Sequence, residues 1–209
     1  MTRTLFVAVA TLVVLVPARS QTLGILAMAC TRDVYAAGYS VAPTHGMSVG
    51  MFAPFYVFDR FVLRTEAGIG AWSGMRTASD ASTHAVSALG LRAAVLGRYY
   101  VARRAAFSLG ADLEMALSER EPILIGRTME PQERTDIGVL VGAAYRLNDR
   151  LELGCRFIQG VTTAVRMGPF GDGHQRSAAI TASYVVHSRH PRFRQVRMWR
   201  APSYIKDPY

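Results

Sequence analysis

The sequence predicts an all-β fold: an eight-stranded antiparallel up-and-down transmembrane β-barrel, with an N-terminal signal peptide before it and a C-terminal periplasmic tail after it. Three observations predict it. Apolar and small-or-polar residues alternate with period two in eight stretches between Gln21 and His187, which puts successive side chains on opposite faces of a strand. The connections between the stretches alternate between tight turns and long loops. Finally, one face of the strands is apolar, whereas the other carries full charges and glycines. Half of the 209 residues are hydrophobic, yet after the N-terminus no run reaches the roughly 18 apolar residues that mark a spanning helix.

Residues 1–20 read as a secretory signal. Arg3 supplies the positive region, Leu5 to Val16 the apolar region, and Ala18-Arg19-Ser20 the small residues before a cut that leaves Gln21 first. The barrel is expected over 21–188 and the tail over 189–209. Export would permit a disulfide between the two cysteines, Cys30 and Cys155. Placed on non-adjacent strands at different heights, they are expected as free thiols. Cys30 stands too far beyond the apolar region, after Ala27-Met28-Ala29, to resemble a lipoprotein cysteine.

The strands are expected at about 22–30, 46–57, 61–73, 84–101, 106–118, 135–147, 151–163 and 176–187. In the third, Phe61, Leu63, Thr65, Ala67, Ile69 and Ala71 oppose Val62, Arg64, Glu66, Gly68, Gly70 and Trp72. The fifth sets Phe107, Leu109, Ala111, Leu113, Met115 and Leu117 against Ser108, Gly110, Asp112, Glu114, Ala116 and Ser118. In the sixth, Ile137, Val139, Val141, Ala143, Tyr145 and Leu147 oppose Asp136, Gly138, Leu140, Gly142, Ala144 and Arg146.

A soluble sandwich also alternates, but it turns its apolar face inward. Here charges sit in mid-strand. Projected inward, Arg64, Arg92, Arg98, Arg146 and Arg156 meet Glu66, Asp112, Glu114, Asp136 and Glu152. A narrow lumen holds such a set when the charges pair and are hydrogen-bonded, and glycines between them make room. By strand order, Arg64, Arg92 and Arg98 are the expected neighbours of Glu66. Interleaved cations and acids read as structural ion pairs rather than as a proton path or a metal site.

Val57 to Arg60, Ala102 to Ala105 and Asn148 to Arg150 are tight turns, while 31–45, 74–83, 119–134 and 164–175 are long connections. In outer-membrane barrels the short turns are periplasmic, and an even strand number then leaves both termini there. Phe55, Phe61, Tyr99, Phe107, Tyr145 and Tyr184 fall on the apolar face near the short turns, as an interfacial aromatic girdle would.

The segment His45-Gly46-Met47-Ser48-Val49-Gly50-Met51-Phe52-Ala53, the turn with Asp59-Arg60-Phe61, and Leu63-Arg64-Thr65-Glu66-Ala67-Gly68-Ile69-Gly70 resemble the second hairpin of the PorT-like outer-membrane β-barrels of Bacteroidota. Leu96-Gly97-Arg98-Tyr99-Tyr100 resembles that family's fourth strand. Gly138, Gly142 and Tyr145-Arg146-Leu147, followed by Leu151-Glu152-Leu153, resemble its sixth and seventh. The resemblance spans about 21–187 and departs at Gly90-Leu91 and at the last strand, which lacks a terminal Phe. It implies an integral outer-membrane protein with an inward Glu66. Some members of the family serve type IX secretion and gliding.

From residue 188 onward there are six basic residues and one acidic, much of the chain's formal +9. Arg194, Arg197, Trp199 and Arg200 combine guanidinium and aromatic groups, which suit an acidic protein surface. A periplasmic address argues against nucleic acid. His45, His84 and His174 lie near Ser82, Ser87, Asp80 and Asp172 in sequence, but no catalytic motif surrounds them. No phosphate or dinucleotide fingerprint occurs. The expectation is a non-enzymatic scaffold or docking subunit of an envelope assembly, embedded in outer-membrane lipid, without cofactor or metal. A narrow pore and a loop-borne enzyme are the alternatives.

Overall fold

The structure is a computed structural model that describes residues 22–36, 39–40, 43–58, 60–77, 83–120, 135–162, 165–166 and 172–188. The signal segment and the tail lie outside the described residues. Eight long strands build the fold: β1 (Thr22–Ala36), β2 (Thr44–Phe58), β3 (Phe61–Thr77), β4 (Thr83–Tyr100), β5 (Ala105–Arg120), β6 (Thr135–Arg146), β7 (Leu151–Gly160) and β8 (Asp172–Ser188). Each pairs antiparallel with its neighbours in sequence, and β1 pairs with β8 from Thr22↔Ser188 to Tyr35↔His174, closing the barrel. Two-residue strands Tyr39–Ser40 and Val165–Arg166 add to β1 and β8.

The strands are steeply staggered. From Met28 the ladder runs through Ser48, Gly70 and Gly90 to Ala116 on β5; the other way, through Thr181, Gly154 and Ala144, it arrives at Ala106. That ten-residue offset between Ala106 and Ala116 tilts the strands, and eight strands leave an interior that side chains can fill.

The strands alternate as expected. Met47, Val49, Met51, Leu109, Val139, Val141 and Ile180 are exposed on the outer wall, whereas Arg64, Glu66, Arg92, Leu96, Leu140 and Arg156 are buried inside. Several strands run further toward the long loops than the alternation suggested. β1 continues to Ala36 rather than 30, β3 to Thr77, and β8 begins at Asp172. Polar residues there continue the backbone ladder after the apolar pattern has stopped. Against the expectation of 151–163, β7 ends at Gly160.

The three tight turns lie at one end, together with Thr22 and Ser188. In the last of them Asn148 Oδ1 accepts hydrogen bonds from the backbone N–H of Arg150 and Leu151, both at 2.8 Å, an Asx turn. Tyr99, Phe107, Tyr145 and Tyr184 are exposed on the outer wall at this end, and Phe58 joins them; Phe55 and Phe61 are half-buried at the same level. Phe61 lies over Gly97, where a Cβ would come 3.0 Å from its ring. The ring covers backbone that the glycine leaves bare.

The cysteines correct one expectation. Cys30 pairs with Ala179, and Cys155 pairs with its neighbour Ile180. They therefore stand within one residue of the same rung, not at different heights. They are free because Cys30 is buried inside and Cys155 is exposed outside.

Candidate functional site

Each inward charge is placed by the period of its strand. Arg64 and Glu66 are two apart on β3, Arg92 and Arg98 six apart on β4, Asp112 and Glu114 two apart on β5, and Glu152 and Arg156 four apart on β7. Even spacing in an extended strand keeps them on one face, and closure turns that face into the lumen.

Arg156, Glu66, Arg64, Glu152 and Arg98 form one connected set, and Arg92 with Asp112 forms a separate pair. Arg156 donates Nη1 to Glu66 Oε2 at 2.5 Å and Nη2 to Glu66 Oε1 at 2.6 Å. Arg64 sets Nε 2.7 Å from Glu66 Oε1, reaches Glu152 Oε1 with Nη1 at 3.3 Å and donates Nη2 to Ser183 Oγ at 2.8 Å. Arg98 Nη2 lies 2.8 Å from the same Glu152 oxygen. Arg92 donates Nε to Asp112 Oδ1 at 2.5 Å and Nη1 to Met28 Sδ at 2.7 Å. Fork-on-fork geometry of the kind Arg156 makes with Glu66 is the strong form of the pair.

Aromatic rings complete the packing. The Arg64 guanidinium lies 3.7 Å from the Phe52 ring centroid, and Arg146 and Arg98 lie 5.2 and 5.9 Å from that of Tyr100. Arg146 also donates to Tyr100 Oη at 2.9 Å. Asp136 accepts from Thr162 Oγ1 at 2.5 Å.

Sequence order misjudged two features. Of the neighbours expected for Glu66, Arg64 does contact it, but its bidentate partner is Arg156 from the opposite wall, and Arg92 and Arg98 bind Asp112 and Glu152. Arg32 was missed altogether. It is buried, forms a bidentate pair with Glu114, and stacks 4.1 Å from the Trp72 ring centroid. Its signal was present: Met28, Cys30 and Arg32 continue the inward alternation of β1.

The lumen is therefore filled unevenly. Around Glu66 and Arg92 a cavity of about 10 Å³ remains, and one of about 30 Å³ near Arg64, Arg98 and Tyr100. Toward the long loops a cavity of about 1220 Å³ opens beside Cys30, Gly46, Trp72, Ala88, Arg156 and Ala179.

Two of the loop histidines have separate partners, and the side chain of His84 lies outside the described ones. His45 Nδ1 lies 3.2 Å from Thr31 Oγ1 on the outer wall, and His174 Nδ1 lies 3.2 Å from the Thr162 carbonyl. Among the described residues no group of His, Cys, Asp and Glu has the arrangement of a metal site. Arg194, Arg197, Trp199 and Arg200 lie outside the described residues.

A closed antiparallel barrel of eight strands, apolar outside and ion-paired inside, defines a small outer-membrane β-barrel. The fold is similar to the crystal structure of Neisserial surface protein A, with a TM-score of 0.52 and 14% identity over 78% of this chain and 96% of that one. It also aligns with Ail, the attachment invasion locus protein of Yersinia pestis (TM-score 0.49, 10% identity, 78% and 97% covered). The outer membrane protein OprG from Pseudomonas aeruginosa aligns at TM-score 0.47 and 12% identity, with 81% and 97% covered. No family model matches the chain, and no curated protein matches it in sequence.

Proposed function

We propose that the chain is a non-enzymatic scaffold or docking subunit of a cell-envelope assembly, held in the outer membrane with its short turns and both termini in the periplasm. The observation that carries this reading is the filled lumen. At mid-lumen, between Glu66 and Arg92, only a cavity of about 10 Å³ remains, too little for a permeating solute. With the interior closed, the surfaces and the tail are left to act on other molecules. The PorT-like resemblance supports a secretion-related assembly, and the Arg-aromatic composition of 189–209 supports a periplasmic protein partner bound through Arg194, Arg197, Trp199 and Arg200.

The test is purification of the full-length protein from native membranes beside a chain truncated after Ser188. The truncated barrel should insert normally and lose the partner. Retention of every partner by the truncated chain would remove the tail from the proposal. A narrow pore is the second reading, supported by the cavity toward the long loops. Single-channel recording separates the two: a scaffold is silent, and a steady unitary conductance would establish the pore.

A further inference from the structure

The three tight turns share a feature that the ion-paired lumen does not require. Each ends on an arginine immediately before an ascending strand: Arg60 before β3, Arg104 before β5 and Arg150 before β7. The three backbones are held alike. The carbonyl of Arg60 accepts from Tyr100 N at 2.8 Å, that of Arg104 from Arg146 N at 2.7 Å, and that of Arg150 from Val185 N at 2.9 Å. All three side chains are exposed, as is Arg103. Asp149 is the exposed acid among the described turn residues, and Asp59 precedes Arg60 in sequence, so the three turns carry four arginines and two acids.

The rim lies directly beyond the aromatic girdle. Arg150 Nη1 lies 3.4 Å from the hydroxyl of Tyr184, an outward ring of that girdle, so this guanidinium turns toward the outer wall rather than into the lumen. Arginines level with interfacial aromatics meet lipid headgroups, their stems on apolar surface and their charge at the phosphate. The spacing matters too. The turns join β2 to β3, β4 to β5 and β6 to β7, so the arginines recur at every second strand around the circumference. The Arg150 guanidinium faces the outer wall beside Tyr184, and a lipid leaflet surrounds that wall on all sides.

We infer that Arg60, Arg104 and Arg150, with Arg103, form a lipid-binding collar that takes the phosphodiesters of anionic phospholipids in the leaflet at the turn end. This rests on the reading of the chain as a membrane-embedded barrel. Electrostatic attraction to an anionic leaflet is worth roughly fivefold in binding for each arginine near the surface, and salt screens it.

The experiment uses the full chain, folded into vesicles of phosphatidylcholine alone or mixed with phosphatidylglycerol, at low and high salt. The urea midpoint of unfolding is read in each. The parent protein should be more stable in the anionic vesicles at low salt, with the advantage shrinking at high salt. A variant carrying Arg60→Gln, Arg103→Gln, Arg104→Gln and Arg150→Gln should fold in phosphatidylcholine and lose most of that advantage. Truncation after Ser188, which removes the basic tail, should leave the advantage in place. An equal advantage in parent and turn variant, or its loss on truncation alone, overturns the collar. Should the turn variant fail to fold, the single changes Arg104→Gln and Arg150→Gln, each expected to remove part of the advantage, decide the matter. Failure of the parent to fold into either vesicle overturns the membrane-barrel reading itself, and the collar with it.

Discussion

Glu66 on β3 and Arg156 on β7 meet fork to fork across the whole lumen, at 2.5 and 2.6 Å. In a closed barrel of eight strands, β3 and β7 are diametrically opposed. The same relation holds for Arg64 with Glu152, again β3 with β7, and for Arg32 with Glu114, β1 with β5. These pairs are braces between facing walls.

Glu66→Gln should be severely destabilising. Removing one partner of a buried pair leaves the other charge uncompensated, at a cost of about 3–5 kcal/mol, and here Arg156 and Arg64 both lose it. Urea unfolding in vesicles measures the cost. A double-mutant cycle with Arg156→Met should show strong coupling, since removing both charges together removes the uncompensated one. Additive effects would place the two groups apart.

The outer wall should reject charge. Leu109 is 62% exposed and pairs with Val141, also exposed, on the apolar outer wall. Leu109→Arg or Val141→Arg should be destabilising, by up to the cost of a charge at mid-membrane, about 2–4 kcal/mol. Folding efficiency into bilayers, followed by the mobility shift of unheated samples on gels, checks this; an unaffected variant would reverse the assignment of the two faces.

Gly110 should not tolerate even alanine. A Cβ there would lie 2.1 Å from the Val95 carbonyl oxygen and 2.9 Å from the Leu96 Cα. Both neighbours are backbone, so a ladder must shift rather than a side chain. Gly110→Ala is expected to lose about 1–3 kcal/mol, the range of an overpacked interior. Thermal unfolding reads it, and a variant as stable as the parent would mean that β4 and β5 approach less closely.

The thiols should behave differently from each other. Cys155 is exposed on the outer wall and Cys30 is buried inside. Oxidants should yield no intramolecular disulfide, and a lipid-soluble maleimide should label Cys155 before Cys30 in vesicles. Mass spectrometry counts the labels. A disulfide-linked monomer would contradict the opposed facing.

Much of the fold was legible because a barrel strand has a single repeated instruction, apolar outward and polar or small inward. Leu109, Val141, Arg64 and Glu66 each follow it. Strand ends were less legible where the apolar face runs out, and Arg32 was lost for that reason: β1 was ended at residue 30, two residues short of it. Pairing inside the lumen was legible only as a set. Sequence order makes β4 the neighbour of β3, so it offered Arg92 and Arg98 to Glu66. The actual partner depends on the diameter and stagger of the closed barrel, which no local pattern encodes.

The cross-lumen braces also tie the two halves of the chain into one cooperative event. Arg64 and Glu66 arrive on the third strand and Arg32 on the first, but Glu114, Glu152 and Arg156 come later, on the fifth and seventh. A partly assembled sheet of four strands would hold the Arg64–Glu66 contact but present Arg32, Arg92 and Arg98 without their opposite numbers, in surroundings poor in water. Neutralisation of the charges thus waits on the meeting of β1 with β8, so a half-built sheet gains little by stopping, and insertion and closure proceed together.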